Sequence, residues 1–290
     1  MAAEIEGHEQ AQGKKLSLIE PSSRVLVVGG SDCSGASGIQ ADLRTLTALG
    51  VYGCSAITAI TVQNKSGVTD VMPLSASLVG AQMDAAFGDA PCEVIKTGML
   101  ATIDIVYAVA QRAQALGAGV RLVVDPVLAS SSGRSLLSPD AREALVEKLI
   151  PAAALITPNI PEATILTGVP IASLEDMGLA IDHLLARGAS AVLLKGGHLI
   201  DAQPDLEEIT DILRTADGEE TRFIRPRLSG PVLRGTGCTL ASAIAGAVAE
   251  GFTLQSSVER ARDYLESAMQ GAGPYQAFRG MAWSSSASHF

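Results

Sequence analysis

Short apolar runs that end on glycine, an acid or proline recur along this chain, and most are followed by a stretch with helical spacing. That alternation limits the fold more than any other feature. Arg24-Val-Leu-Val-Val-Gly29, Gly53-Cys-Ser-Ala-Ile-Thr-Ala-Ile-Thr61, Val94-Ile-Lys96, Leu122-Val-Val-Asp125, Leu155-Ile-Thr157 and Ala191-Val-Leu-Leu-Lys195 read as strands. Most are apolar at successive positions, the pattern of strands buried on both faces. Helical spacing fills 39–49, 75–87, 102–116, 173–187 and 253–270, with further helix starts at Ser138 and Asn159. Strands at 68–73, and at 208–214 and 221–226 around an Asp217-Gly218 turn, complete the pattern. Such an order implies one α/β domain, with a mostly parallel central sheet and helices on both faces. Aromatic residues make up only 3% while aliphatics and alanine abound, which suits helices packed closely on a sheet. No Ser- or Pro-rich linker and no internal repeat interrupts the chain. The domain is therefore expected over 22–272, between a disordered tail at 1–21 and a C-terminal tail at 273–290.

One stretch stands out against this background. Arg234-Gly235-Thr236-Gly237-Cys238-Thr239 leads into an uncharged run of small residues up to Ala249, which reads as a buried helix starting near Gly237. Glycines let the backbone turn tightly and approach a ligand. The first N–H groups of a helix lack internal partners and lie at the positive end of its dipole, so such a turn is a ready site for phosphate. Cys238 falls in the first turn, where the same field is expected to lower a thiol pKa. The plainer alternative is a glycine turn before a core helix, with an inert buried cysteine.

Other candidate residues gather at the ends of strands. Asp125-Pro closes one strand, and carboxylates there line the ligand crevice of open α/β sheets. Thr157-Pro-Asn159-Ile-Pro-Glu162 puts Asn and Glu three apart at a helix start, which is also the spacing of a capping box. Lys195-Gly-Gly-His198 ends another strand in a cation and glycines. Gln63-Asn64 presents two amides that can donate and accept at once, suited to a heterocycle edge, or else forms an Asn-capped turn. The loop Gly30-Ser-Asp-Cys-Ser-Gly-Ala-Ser-Gly38 has P-loop spacing at Gly30 and Gly35, but Ala36-Ser37 stands where Lys-Ser/Thr is required. It misses the dinucleotide fingerprint as well.

The net charge of −10 argues against a sequence-independent grip on nucleic acid, which needs a basic footprint. The four cysteines, Cys33, Cys54, Cys92 and Cys238, lie far apart without a Cys-x-x-Cys pair. Neither a zinc site nor a disulfide framework is suggested, and the cytoplasm is the expected compartment. No apolar leader and no membrane span are expected.

Taken in order, these stretches resemble one family. Gly30-Ser-Asp-x-Ser-Gly-x-x-Gly-Ile-Gln-Ala-Asp42, Tyr52-Gly53, Thr61-Val-Gln63-Asn64, Lys96-Thr-Gly-Met-Leu100, Asp125-Pro-Val, Thr157-Pro-Asn-x-Pro-Glu162, Lys195-Gly-Gly-His198 and Gly235-Thr-Gly-Cys-Thr239 look like the hydroxymethylpyrimidine/phosphomethylpyrimidine kinases of thiamine biosynthesis. The resemblance implies a ribokinase-like fold with ATP and Mg2+. It implies an anion hole at Gly235, Thr236, Gly237 and Cys238, with Cys238 as general base where most of the superfamily has Asp. Gln63 would bind the aminopyrimidine, while Asp42, Gly30 and Met99 shape its pocket. Asp125, Asn159 and Glu162 would hold magnesium, directly or through water. Lys195 and Arg234 would lie by the ATP phosphates. Cys33, Ala36-Ser37 and the segment before Arg234 depart from the family pattern. A homodimer is the expected assembly. The alternatives are a pyridoxal kinase of the same fold and a catalytically silent pyrimidine sensor.

Overall fold

A computed structural model describes residues 23–130, 133–228 and 233–270. The expected tails at 1–21 and 273–290 lie outside the described residues. Six parallel strands form the centre of the sheet: β1 (Arg24–Asp32), β2 (Tyr52–Asn64), β4 (Val94–Thr97), β5 (Arg121–Val124), β6 (Leu155–Ile156) and β7 (Ala191–Leu194). Antiparallel strands close both edges: β3 (Gly67–Pro73) on β2, and β8 (Glu208–Thr215) then β9 (Glu220–Pro226) beyond β7. The resulting order is β3-β2-β1-β4-β5-β6-β7-β8-β9.

Because side chains alternate along a strand, each apolar run feeds two cores. Leu26, Val28, Ile95, Leu122, Val124 and Ile156 point to one face, under α2 (Ala76–Asp89), α3 (Ile103–Ala115), α4 (Pro139–Ala144), α5 (Ile160–Thr167) and α6 (Leu174–Leu185). Val25, Val27, Val94, Val123, Leu155 and Leu193 point to the other, under α1 (Gly38–Ala48), α7 (Thr236–Ala249) and α8 (Leu254–Gln270). The small residues of α7 let it press close: a Cβ on Gly246 would stand 3.3 Å from Leu46 and 3.4 Å from Val51. Among the described residues no helix is long and apolar enough to cross a membrane.

Three local differences from the sequence reading matter for the site. β1 runs past Gly29 to Asp32, since a long β2 offers Ile60 and Thr61 to Ser31 and Asp32 beyond a bulge. β7 stops at Leu194, and Gly196–Asp201 turns into a 3₁₀ helix whose first residue lies against the Thr210 carbonyl, where no Cβ fits. α7 starts one residue earlier than expected, at Thr236. The parallel strands all end on one side of the sheet, and that edge carries Asp32, Gln63, Met99, Asp125, Asn159 and Lys195.

Candidate active site at the carboxyl edge

Gly235 caps α7 with φ 81°, a left-handed conformation that glycine adopts without strain. A Cβ there would run into the carbonyl of Ala36, so the helix start and the Gly30 loop interlock. Gly237 faces the opposite way. Its absent Cβ would lie 3.5 Å from Lys195 Nζ and 3.9 Å from Asp125 Oδ2. Lys195 Nζ is 3.2 Å from Asp125 Oδ1, which also accepts a hydrogen bond from Thr157 Oγ1 at 3.2 Å. A helix N-terminus, a lysine and a buried carboxylate thus converge on one point. Burial disfavours the charged ammonium, yet Asp125 and Glu162 reverse this and raise the Lys195 pKa.

Asn159 and Glu162 form the capping box that the sequence left open. Asn159 Oδ1 accepts from the Glu162 N–H, and Glu162 Oε2 from the Asn159 N–H, both at 2.8 Å. Of the two routes expected for Asn159 toward magnesium, direct or through water, this cap favours the one through water, since its oxygen already accepts from the helix start. Burial pushes the Glu162 carboxyl up to about 7, with Lys195 opposing and Asp125 adding to the rise. Among the described residues no three His, Cys, Asp or Glu side chains close a metal cage. Asp125 and Glu162, close enough for one to raise the other's pKa, still fit magnesium, which prefers few carboxylates, water and phosphate oxygens.

Cys238 overturns one expectation. Part of it remains open to the site, but it sits deep in the protein. Burial pushes its thiol up to about 12, and the Lys96 cation only partly offsets this. Desolvation thus outweighs the helix field that favoured a more acidic thiol. Lys96 itself was not singled out as a site residue. It is fully buried, with Nζ 2.9 Å from Asp42 Oδ1, and Asp42 also accepts from Ser242 Oγ at 2.8 Å. Burial opposes its charge, but Asp42, Cys238 and Asp125 keep it protonated, with its pKa raised. The signal was present, since a lysine inside Val94-Ile-Lys96-Thr97, buried on both faces, requires a partner. Asp42, at 2% exposure, holds Lys96 beneath the site, so any part it has in shaping the pocket is indirect.

The Gly30 loop builds the other wall. Asp32 accepts from Ser34 N–H and Oγ and from Ser37 N–H and Oγ, at 2.7–2.9 Å. Burial opposes the ionised carboxylate, but these bonds prevail and hold its pKa down. Gln63 Nε2 donates to Ser37 Oγ at 3.1 Å, and the Cys33 thiol donates to the Gln63 carbonyl at 3.2 Å. Gly30 lies beside Met99, whose sulfur would stand 3.2 Å from an added Cβ. Gly30, Met99 and Gln63 thus fall on the same wall. Arg234 joins it: its guanidinium donates to Asp32 Oδ2 (3.3 Å), Ser34 Oγ (3.3 Å) and the Asn64 carbonyl (3.0 Å). These three partners tie the Arg234 guanidinium to the Gly30 loop and the end of β2.

Across α7 from that wall lies a cavity of about 270 Å³. Thr236, Gly237 and Lys195 stand at one end, and Ile209, Leu240, Leu265 and Met269 give it apolar walls. Arg262 pairs with Asp211 at its side, and Asp211 Oδ1 accepts from the Gly196 N–H at 2.8 Å, bracing the turn after Lys195. Its lining comes from the turn after Lys195, from β8 and β9 and from α7 and α8, so no local motif announces it.

Known proteins share this fold. The family model described as phosphomethylpyrimidine kinase matches residues 32–281. A hydroxymethylpyrimidine/phosphomethylpyrimidine kinase of Rhizobium meliloti is 44% identical over 264 residues, covering 87% of this chain and 96% of that protein. The crystal structure of phosphomethylpyrimidine kinase from Clostridium difficile superposes with TM-score 0.73 at 39% identity, over 85% of this chain and 99% of that one. Pyridoxal kinase from Staphylococcus aureus, in complex with AMP-PCP and pyridoxal, gives TM-score 0.75 at 32% identity, over 86% and 88%. The fold is ribokinase-like.

Proposed function

The chain belongs to the phosphomethylpyrimidine kinase family, and on that premise we propose that it transfers the terminal phosphoryl group of ATP to 4-amino-5-hydroxymethyl-2-methylpyrimidine, and then to the resulting monophosphate, for thiamine biosynthesis. The observation that carries this reading is the α7 N-terminus facing Lys195 and Asp125, with an apolar cavity on one side and the Gly30 wall on the other. Phosphoryl transfer asks little covalent work of a protein and depends on positioning and charge stabilisation.

In this reading the cavity takes the nucleoside, with its phosphates leading toward Lys195 and the N–H groups of Gly235, Thr236, Gly237 and Cys238. Gln63 hydrogen-bonds the aminopyrimidine, with Gly30 and Met99 against the ring. Magnesium bound with the nucleotide would neutralise phosphate charge, held by Asp125 and Glu162, with Asn159 in reach only through water. As the hydroxymethyl oxygen attacks the terminal phosphorus and the bond to ADP breaks, the hydroxyl proton passes to the Cys238 sulfur. The thiol must first be ionised, and Lys96 is the cation beside it that favours this. Lys96, Asp42 and Ser242 act from beneath as positioning residues.

The cysteines described in the structure are all unbridged, in keeping with a cytoplasmic enzyme. Outward-facing Ile60, Val62 and Met72 on β2 and β3 support a homodimer. A pyridoxal kinase activity is the second reading, favoured by the structural likeness at 32% identity. An ATP-consumption assay offering hydroxymethylpyrimidine, its monophosphate and pyridoxal separates these readings. Turnover of both pyrimidines is expected; turnover of pyridoxal with neither pyrimidine would overturn the assignment.

A further inference from the structure

Two cysteines that are 38 residues apart in sequence meet at the edge of the sheet opposite the site. Cys54 lies near the start of β2, level with Leu26 of β1, and Cys92 lies just before β4. β1 runs between those two strands. The Cys54 and Cys92 sulfurs are 3.5 Å apart, and Cys54 Sγ is 3.6 Å from the Val25 carbonyl. Cys92 is buried while Cys54 is half-buried. Arg24, the first residue of β1, stacks on Tyr52 at 4.8 Å and brings its guanidinium against both sulfurs. Its Nε is buried without a hydrogen-bond partner, a donor that a thiolate would satisfy.

We propose that Cys54 and Cys92 are a reversible dithiol site that reacts with low-molecular-weight disulfides, closing an intramolecular bridge across the foot of β1. The Cys54 thiolate attacks one sulfur of the reagent, and the reagent's S–S bond breaks to release its first thiol. Cys92 then loses its proton and displaces the second thiol from Cys54. One S–S bond forms in the protein, the reagent is reduced to two thiols, and two protein thiols are oxidised. Cys54 is the attacking group because it is the more accessible. The hydrogen bond from Cys92 lowers its pKa to about 7 against the effect of burial, with Arg24 adding to the fall. Thiolate character together with access sets the rate of such exchange. Cys33 is exposed but has no cysteine within bonding reach among the described residues, so it is expected to stop at the mixed disulfide.

Incubating the reduced full-length protein with oxidised glutathione, trapping free thiols by alkylation and mapping the peptides tests this. Cys54 and Cys92 are expected to lose alkylation together and to appear as one cross-linked peptide pair, restored by dithiothreitol. Oxidation should raise the melting temperature of the wild type and leave those of Cys54→Ser and Cys92→Ala unchanged. Arg24→Gln should slow bridging severalfold at neutral pH. Glutathione retained on Cys54 beside a free Cys92, or both thiols still fully alkylated once Cys33 has reacted, would overturn the proposal. An unchanged rate in Arg24→Gln would remove the guanidinium from it. Because mapping is done on the wild type, poor folding of a variant does not decide the result.

Discussion

At Cys238 two physical demands oppose each other. A base must be ionised to take a proton, yet burial holds this thiol up to about 12. If Cys238 is the base, only a small thiolate fraction exists at neutral pH, and that fraction grows about tenfold per pH unit below the pKa. Wild-type kcat is therefore expected to rise with a logarithmic slope near one between about pH 7 and 9. Cys238→Asp, ionised throughout that range, should flatten the profile, and Cys238→Ser should lose roughly 100- to 10,000-fold in kcat with ATP affinity kept. A flat wild-type profile, together with near-normal Cys238→Ser, would leave the backbone of Gly235–Gly237 as the functional part. Lys96 offers a second test. Replacing it by Met strands the buried Asp42 carboxylate, at about 3–5 kcal/mol of stability. Lys96→Met with Asp42→Leu should recover most of that stability in a denaturant titration, since a buried pair can be exchanged for apolar groups. Activity should stay low in the double variant if the cation is needed beside Cys238.

At the scale of elements, the site depends on one interlock: the α7 start against the Gly30 loop. Gly235 in its left-handed conformation touches the Ala36 carbonyl, and Arg234 just before it ties Asp32, Ser34 and Asn64 together. Gly235→Ala is expected to lower stability by about 1–3 kcal/mol through backbone strain. Arg234→Ala should act on the loop that carries the Gln63 partner Ser37, so the pyrimidine KM should rise while the ATP KM moves little. Steady-state kinetics with each substrate varied in turn would show it. A rise confined to the ATP KM would return Arg234 to the phosphates. Much of this was legible from residue order. Glycine turns, strand-end acids and the small-residue helix are local signals, because sterics and capping act over a few residues. The length of β1 was not, since pairing with β2 decided it. The thiol pKa was not, since helix field and burial push in opposite directions and only packing sets the balance. The apolar cavity was least legible, as Ile209, Leu240 and the Leu265–Met269 pair come from three distant parts of the chain.

For the whole molecule, the antiparallel strands at the β3 edge divide two roles between their faces. Ala59 and Val71 turn inward and pack with Met99, which forms part of the candidate pyrimidine wall. Ile60, Val62 and Met72 turn outward at 40%, 55% and 65% exposure, and Ile60 sits directly opposite Met72 in the ladder. An apolar strip on an edge pair invites pairing with a like surface, and a two-fold axis would set each strip against its copy. The same β2 ends in Gln63, so covering its outer face would also steady the pyrimidine wall. Met72→Glu places a carboxylate on each copy near the axis, in a chain already at net charge −10. Like charges brought together in a desolvated contact oppose association. Sedimentation of the wild type at micromolar concentration should therefore give a dimer, and Met72→Glu a folded monomer with unchanged circular dichroism. The monomer should show a raised pyrimidine KM and a nearly unchanged ATP KM, because the cavity lies at the other end of the sheet. A monomeric wild type, or a variant that stays dimeric, would leave the strip without this role.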